Sequence, residues 1–201
     1  MKRIIDRLRL RLDRRYFLLE LMPKSSVCAE IGVHTGRFSE KILSIVRPRE
    51  LHLIDPWKHE TSGQFEDALY GGKADAGQQE MDARYRSVRE RFAEGIRSGQ
   101  VKVHRGYSSD VLTTFPDGYF DWVYIDGNHL YEGVIQDLTL ALAKTKPGGY
   151  VTGDDYGREG WWEGGVERAV DEFCRAHPVD LVTIHNHQFV LRTHARRSTA
   201  A

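Results

Sequence analysis

The sequence predicts an α/β domain: a doubly wound, mostly parallel sheet with a C-terminal antiparallel hairpin. After Pro23, short apolar runs alternate with helical patterns as far as residue 176, as they do where helices cover both faces of a parallel sheet. Two of those runs end in acidic clusters, Asp126-Gly127-Asn128-His129 and Asp154-Asp155, and open α/β sheets bind their ligands at the carboxyl ends of their strands. Finally, the apolar runs 181–184 and 189–191 flank residues 185–188 in the manner of a hairpin.

The elements follow in order. Residues 1–22 read as a basic amphipathic helix, in which Lys2, Arg3, Arg7, Arg9, Arg11, Arg14 and Arg15 accompany Ile4, Ile5, Leu8, Leu12, Phe17 and Leu18. Such a helix packs on its own domain, joins a homo-oligomer, or lies on an anionic membrane surface. The domain proper is expected over residues 23–195, with a disordered tail at 196–201. Within it, residues 27–31 form a buried strand, 32–36 a turn, and 37–46 a helix closed by Pro48. A second strand covers 51–54 and ends in Asp55. Residues 56–79 are rich in Gly, Asp, Gln and His, too polar for core, and are expected to form a mobile lid. A helix over 80–97 stops at Gly99, and strand 101–104 leads to a short helix at 109–114. Strand 120–125, helix 130–143, the turn Lys146-Pro147-Gly148-Gly149, strand 150–152 and helix 165–176 complete the alternation, and the hairpin adds one antiparallel strand.

A chain of 201 residues is one domain with room for a recessed site. Lysine plus arginine equals aspartate plus glutamate at 29 each, which argues against a protein that coats nucleic acid through a broad basic face. The expected partner is a small molecule. Cys28 and Cys174 match neither a disulfide framework nor a zinc pattern and read as buried thiols. With no apolar run near the roughly 20 residues that span a bilayer and no signal-peptide core, a cytoplasmic location is expected.

Glu30-Ile31-Gly32-Val33-His34-Thr35-Gly36 sits at a strand-to-helix turn, where glycines let a ligand approach the backbone and the helix start offers free N–H groups. Gly32 and Gly36 do not match the G-x-G-x-x-G spacing of dinucleotide sites. Glu30 would repel a diphosphate and attract an amine, so an amino acid-like cofactor fits better than NAD. Asp55 follows the glycine turn by about 20 residues, where a carboxylate receives ribose hydroxyls. Trp57, Trp161 and Trp162 follow strands and offer faces for adenine or a sugar ring. His185-Asn186-His187 has no acidic or cysteine partner at ligand spacing and reads as a turn.

These residues resemble the class I S-adenosylmethionine-dependent methyltransferases, whose fold is Rossmann-like. Glu30-x-Gly32 with Gly36 is similar to the first motif, with His34 where the commoner loop has its middle glycine. Asp55 resembles the ribose acid, Gly106-Tyr107-Ser108-Ser109-Asp110 the adenine-side turn, and residues 120–126 the fourth-strand motif. The closest resemblance is to the macrocin and mycinamicin sugar O-methyltransferases and the cephalosporin-pathway methyltransferase, through Ile125-Asp126-Gly127-Asn128-His129-x-Tyr131-Glu132 and Gly153-Asp154-Asp155-Tyr156. The resemblance implies S-adenosylmethionine held by Glu30, Gly32, His34, Gly36, Asp55, Trp57, Ser108, Ser109 and Asp126. It also implies Mg²⁺ on Asp126, Asp154 and Asp155, and His129 as base beside the catalytic Asp126. Carboxylates crowded into a small volume protonate, spread apart or take a cation, and an oxygen-only donor set prefers a hard one. Asp-Gly-Asn-His in place of the Asn/Asp-Pro-Pro-aromatic sequence implies, by the same resemblance, methylation on oxygen: an O-methyltransferase acting on a hydroxyl of a sugar or other small metabolite. The rival is a non-catalytic cofactor-binding module on the same fold.

Overall fold

The computed structural model describes residues 16–194, so most of the basic N-terminal stretch and the tail lie outside the described residues. A seven-stranded sheet runs β3-β2-β1-β4-β5-β7-β6. The strands are β1 (Val27–Ile31), β2 (Glu50–Asp55), β3 (Val101–Arg105), β4 (Phe120–Ile125), β5 (Thr145–Gly153), β6 (Val179–His185) and β7 (Gln188–Thr193). The first five are parallel. β7 pairs antiparallel with β5, and β6 antiparallel with β7, so the hairpin adds two strands rather than one.

The helices are α1 (Phe17–Leu21), α2 (Arg37–Lys41), α3 (Gln78–Arg91), α4 (Ala93–Ser98), α5 (Ser108–Thr113), α6 (Tyr131–Lys144) and α7 (Gly165–Ala176), with a π-helical turn at Ile42–Val46 extending α2. Every residue of β1 is buried because helices cover both faces of the central strands. Alternation along β4 sends Trp122 and Tyr124 into one core with Leu18, Leu19, Phe38, Ile42 and Val88. Val123 and Ile125 go to the other, with Leu138, Val170 and Phe173. Leu18, Leu19 and Met22 are core residues, so the packed unit begins before residue 23. No helix among the described residues is long and apolar enough to cross a membrane.

Three local expectations are corrected. The single helix over 80–97 is two, kinked at Phe92, whose ring is buried against Gly36; a Cβ on Gly36 would stand 2.7 Å from that ring. The Lys146-Pro147-Gly148-Gly149 turn is part of β5, where a register shift beside Phe120/Trp122 accommodates the proline. A Cβ on Gly149 would lie 2.5 Å from the Asp121 carbonyl oxygen. The segment from Pro56 to Gly77 does contribute to the core: Trp57, Phe65, Ala68 and Ala74 are buried, and a 3₁₀ turn at Gly63–Phe65 folds the chain back on itself. Its polarity by composition hides four apolar contacts that anchor it.

Candidate active site

The ends of β1 and β4 are drawn together. Gly32 donates its N–H to the Ile54 carbonyl and Asp126 donates to the Ile31 carbonyl. Gly32 has φ +85°, and a Cβ there would fall 1.9 Å from the Asp126 carbonyl oxygen. No side chain fits, which is why glycine occupies that position. Beyond it, His34 takes the left-handed conformation (φ 53°) in place of a glycine.

Asp55 organises this loop. Its Oδ2 accepts the N–H groups of Val33 and His34, both at 2.9 Å, and its Oδ1 accepts that of Trp57 at 2.7 Å. The buried Trp57 indole donates to the His34 carbonyl at 2.9 Å. Burial raises the Asp55 pKa, and the three backbone donors oppose that rise. Glu30 is 1 % exposed and accepts the Ser39 hydroxyl at 2.5 Å. Burial, then Arg84 and Arg37, push the His34 imidazole down to about 4, so it is neutral in the loop.

These groups line a cavity of about 1250 Å³. Glu30, Gly32, His34, Asp55, Trp57, Ser108, Ser109, Asp126, His129 and Asp155 all contribute to its wall. Gly36 and Asp154 do not. Gly36 faces Phe92 and gives the loop its close approach to that ring, not to the cavity. Asp154 instead accepts the Tyr124 hydroxyl at 3.3 Å and the Asp155 N–H at 3.0 Å, while Gln188 donates to Tyr124. Asp155 has φ 63°, and this left-handed turn separates two consecutive carboxylates: one braces the sheet, the other enters the site.

In the same cavity, Asp126, His129 and Asp155 each offer a ligand atom within 4.8 Å of the others. His129 Nε2 lies 2.9 Å from Asp155 Oδ2 and 3.5 Å from Asp126 Oδ1, yet neither ring nitrogen makes a well-directed hydrogen bond. Burial would lower the His129 pKa, but the two carboxylates outweigh it and push it to about 9. Burial opposes charge on Asp155 as well, and His129 and Arg158 still hold its carboxyl below the usual range. Arg158 reaches Asp155 Oδ1 at 2.9 Å. Two carboxylates and an imidazole with unmet hydrogen-bonding capacity form a donor set that suits a hard divalent cation.

Aromatic side chains wall this cluster. Trp162 stacks on His129 with centroids 4.7 Å apart, and Trp161 packs edge-on to Trp162 and Phe65. Phe65 and Tyr70 come from the segment after β2, so that segment closes the acceptor side. Asn128 accepts the Leu130 N–H at 2.9 Å in the turn that precedes α6.

Sequence reasoning misses Asp137. It is 3 % exposed on α6, lines the cavity, and accepts the Ser108 hydroxyl. Its signal is present: an acid three residues after Val134, in the buried stripe that includes Leu138 and Ala141.

Fold and site together define a Rossmann-like methyltransferase domain. The chain belongs to the family described as methyltransferase domain, whose model matches residues 29–156. It is similar to uncharacterized protein R132 of Acanthamoeba polyphaga mimivirus, 37% identical over 71 residues that cover 33% of this chain and 32% of that protein. The chain thus spans about a third of the length of the curated relative it matches. Among solved structures it resembles the O-methyltransferase TomG from Streptomyces achromogenes, in complex with SAM, with TM-score 0.60 and 20% identity over 90% of this chain and 77% of that one. The O-methyltransferase NovP aligns with TM-score 0.56 and 24% identity over 84% of this chain and 72% of its own. An O-methyltransferase from Bacillus cereus in complex with SAH aligns with TM-score 0.57 and 15% identity, covering 89% and 78%.

Proposed function

We propose that this methyltransferase transfers the methyl group of S-adenosylmethionine to a hydroxyl of a sugar or other small metabolite, with Mg²⁺ assisting. The observation that carries the reading is the meeting of Asp126, His129 and Asp155 in the same cavity that Glu30, the Gly32 loop and Asp55 line. Glu30 offers negative charge to the cofactor's ammonium group, and Asp55 sits where ribose hydroxyls would hydrogen-bond. Asp126 and Asp155 would hold the metal beside His129, with Asp154 bracing the turn behind Asp155. A bound Mg²⁺ supplies Lewis acidity that lowers the pKa of a substrate hydroxyl.

A cation on Asp126 and Asp155 would offset the negative charge that holds a proton on His129 and leave the imidazole neutral to take the hydroxyl proton, and Trp162 stacked on its ring fixes the direction it faces. S-adenosylmethionine held at Glu30 and Asp55 would supply a sulfonium methyl group for in-line transfer to the oxygen that His129 deprotonates, with the neutral thioether as leaving group. Trp161, Trp162, Phe65 and Tyr70 present flat apolar faces to the acceptor ring and limit water around the sulfonium.

Calorimetric titration of metal-depleted protein with S-adenosylhomocysteine, then with Mg²⁺, tests both parts. Cofactor binding followed by a metal isotherm that disappears in Asp126→Asn and Asp155→Asn is expected. Absence of cofactor heat would return the protein to a non-catalytic reading. Cofactor binding without a metal isotherm would leave His129 and the aromatic wall to do the chemistry without a cation.

A further inference from the structure

The two outer strands of the sheet are finished differently. β3 carries Lys102 and Arg105, paired with Glu50 and Asp82, and charged side chains of this kind keep a strand edge from adding another strand. β6 has no lysine, arginine or proline, and no strand lies on its outer side among the described residues. Leu181, Val182 and Ile184 are 46 %, 49 % and 39 % exposed, so three of the six exposed large apolar residues of the described chain fall within four positions. Of the other three, Leu69 and Tyr107 line the cavity, whereas no residue of β6 does. Apolar side chains gathered this closely at a surface mark an interaction site, where scattered ones do not.

A register shift between Leu181 and Thr183 sets which way these side chains face. Residues directly opposite on paired strands share a face. Leu181 is opposite Leu191 and Ile184 opposite Phe189, both in the core of Val170 and Phe173. Thr183 is opposite Val190, in the other core, and Asp180 and His185 lie on that side, opposite Arg192 and Gln188. In an unbroken strand, residues three apart point to opposite faces. The extra residue of the bulge puts Leu181 and Ile184 on one face, and Asp180 and His185 together on the other. Outward from the Val182–Thr183 peptide, an apolar pair is followed by an acid on one side and an imidazole on the other.

We propose that a second copy of this chain docks against the outer edge of β6, about a two-fold axis at the Val182–Thr183 peptide. A two-fold contact is self-complementary, so each pairing occurs twice. Leu181 meets Ile184 of the partner subunit on one face, and Asp180 meets the partner's His185 on the other. Apolar surface is buried and opposite polarity is matched across the same axis. Asp180 Oδ1 already faces His194 Nε2 at 2.9 Å, but its side chain is 69 % exposed. His185 is exposed too, its ring packed edge-on to Phe17 with centroids 4.8 Å apart. The bulge that makes the run symmetric also bends the edge, which opposes open-ended strand addition and suits a closed pair. One strand per subunit is a small contact, of the weak and reversible class.

Sedimentation velocity of the full chain over roughly a hundredfold range of protein concentration reads the association. A monomer–dimer equilibrium is expected. Leu181→Glu and Ile184→Glu should each raise the dimer Kd at least about tenfold, because a carboxylate is set against an apolar partner at two places. The Tm of the monomer should fall by less than about 3 °C, as for other exposed positions. Asp180→Lys alone and His185→Glu alone should weaken the dimer about 3- to 10-fold, and the two together should restore it to within about twofold. Only residues that face each other across the axis give that recovery; a merely local role leaves the two losses additive. A monomer at every concentration overturns the proposal. So does a dimer that survives both glutamate variants, which places the interface elsewhere, or an exchanged pair that fails to restore association. Should the glutamate variants not fold, the exchange, made at two exposed positions, decides alone.

Discussion

His129 is held between two carboxylates and under an indole, so its proton affinity and its direction are set by different neighbours. Replacement by Gln removes the base while leaving Glu30 and Asp55 intact. Turnover of His129→Gln is expected to fall by about 10² to 10⁴, the usual span for a general base, with S-adenosylhomocysteine affinity changed less than about threefold. Steady-state kinetics beside calorimetry decide this, and full turnover would exclude His129 as the base. A second histidine matters for stability rather than catalysis. His52 on β2 is 2 % exposed, with Nδ1 3.0 Å from His104 Nε2 and a ring of Phe115, Tyr119 and Phe120 around it. Burial, then His104 and Lys102, lower its pKa to about 4, so the folded state holds it neutral while the unfolded chain takes up a proton near the ordinary value of 6.5. The unfolded state therefore binds more protons between those values, and stability drops as pH falls from about 6.5 toward 4, by up to about 3 kcal/mol. Thermal melts from pH 8 to 4.5 should show that loss, and His52→Gln should flatten it. At this scale the sequence is an uneven guide. Asp126 and His129 are legible because they directly follow an apolar strand run. Asp154 and Asp155 are not separable, since only a left-handed φ at the second residue decides which one enters the site. Asp137 is hidden because a helical pattern records its position as one more place in a stripe, and its partner Ser108 lies 29 residues away.

Among the elements, the β1 turn is under the tightest steric control. Gly32→Ala combines a positive φ with a Cβ inside the Asp126 carbonyl, so the strand ends must separate to admit it. Strain of this kind costs on the order of 1–3 kcal/mol before the clash is counted. A Tm at least about 5 °C lower is expected, together with loss of cofactor binding, because the displaced atoms belong to the site. Differential scanning fluorimetry with and without S-adenosylhomocysteine checks both, and an unchanged Tm would mean that the two strand ends are less closely joined than the geometry states. The strands and the order of helices are readable from periodicity, since parallel strands buried on both faces announce themselves as apolar runs. The segment after β2 is not. Its composition is polar, and the contacts that anchor it, Phe65 with Trp161 and Trp57 with Tyr85, are tertiary, so nothing in the local pattern distinguishes a packed cavity wall from a free loop. The kink at Phe92 is equally silent, as its cause is Gly36, more than fifty residues earlier in the chain.

For the molecule as a whole, the cofactor groups and the acceptor groups come from the ends of different strands and line one cavity between two cores. A ligand that binds only the folded state raises stability by about 2.7 kcal/mol at one hundred times its Kd, which for a domain of this size is roughly 5–10 °C in Tm. S-adenosylhomocysteine at that excess is expected to produce such a shift in the wild type, and a comparable shift in His129→Gln, whose change leaves Glu30 and Asp55 in place. A shift lost in His129→Gln would mean that the two groups of residues are coupled through the fold. The Asp55 carboxylate bears on how the cofactor arrives. It already holds three backbone N–H groups of the loop and the following turn, so the chain has given up that conformational freedom during folding and not at the moment of encounter. The cofactor meets a receptor that is set in advance. Its association should therefore be governed by diffusion and entry past the segment after β2, with a single kinetic phase whose rate rises linearly with concentration, instead of a plateau imposed by a loop that must first find its shape.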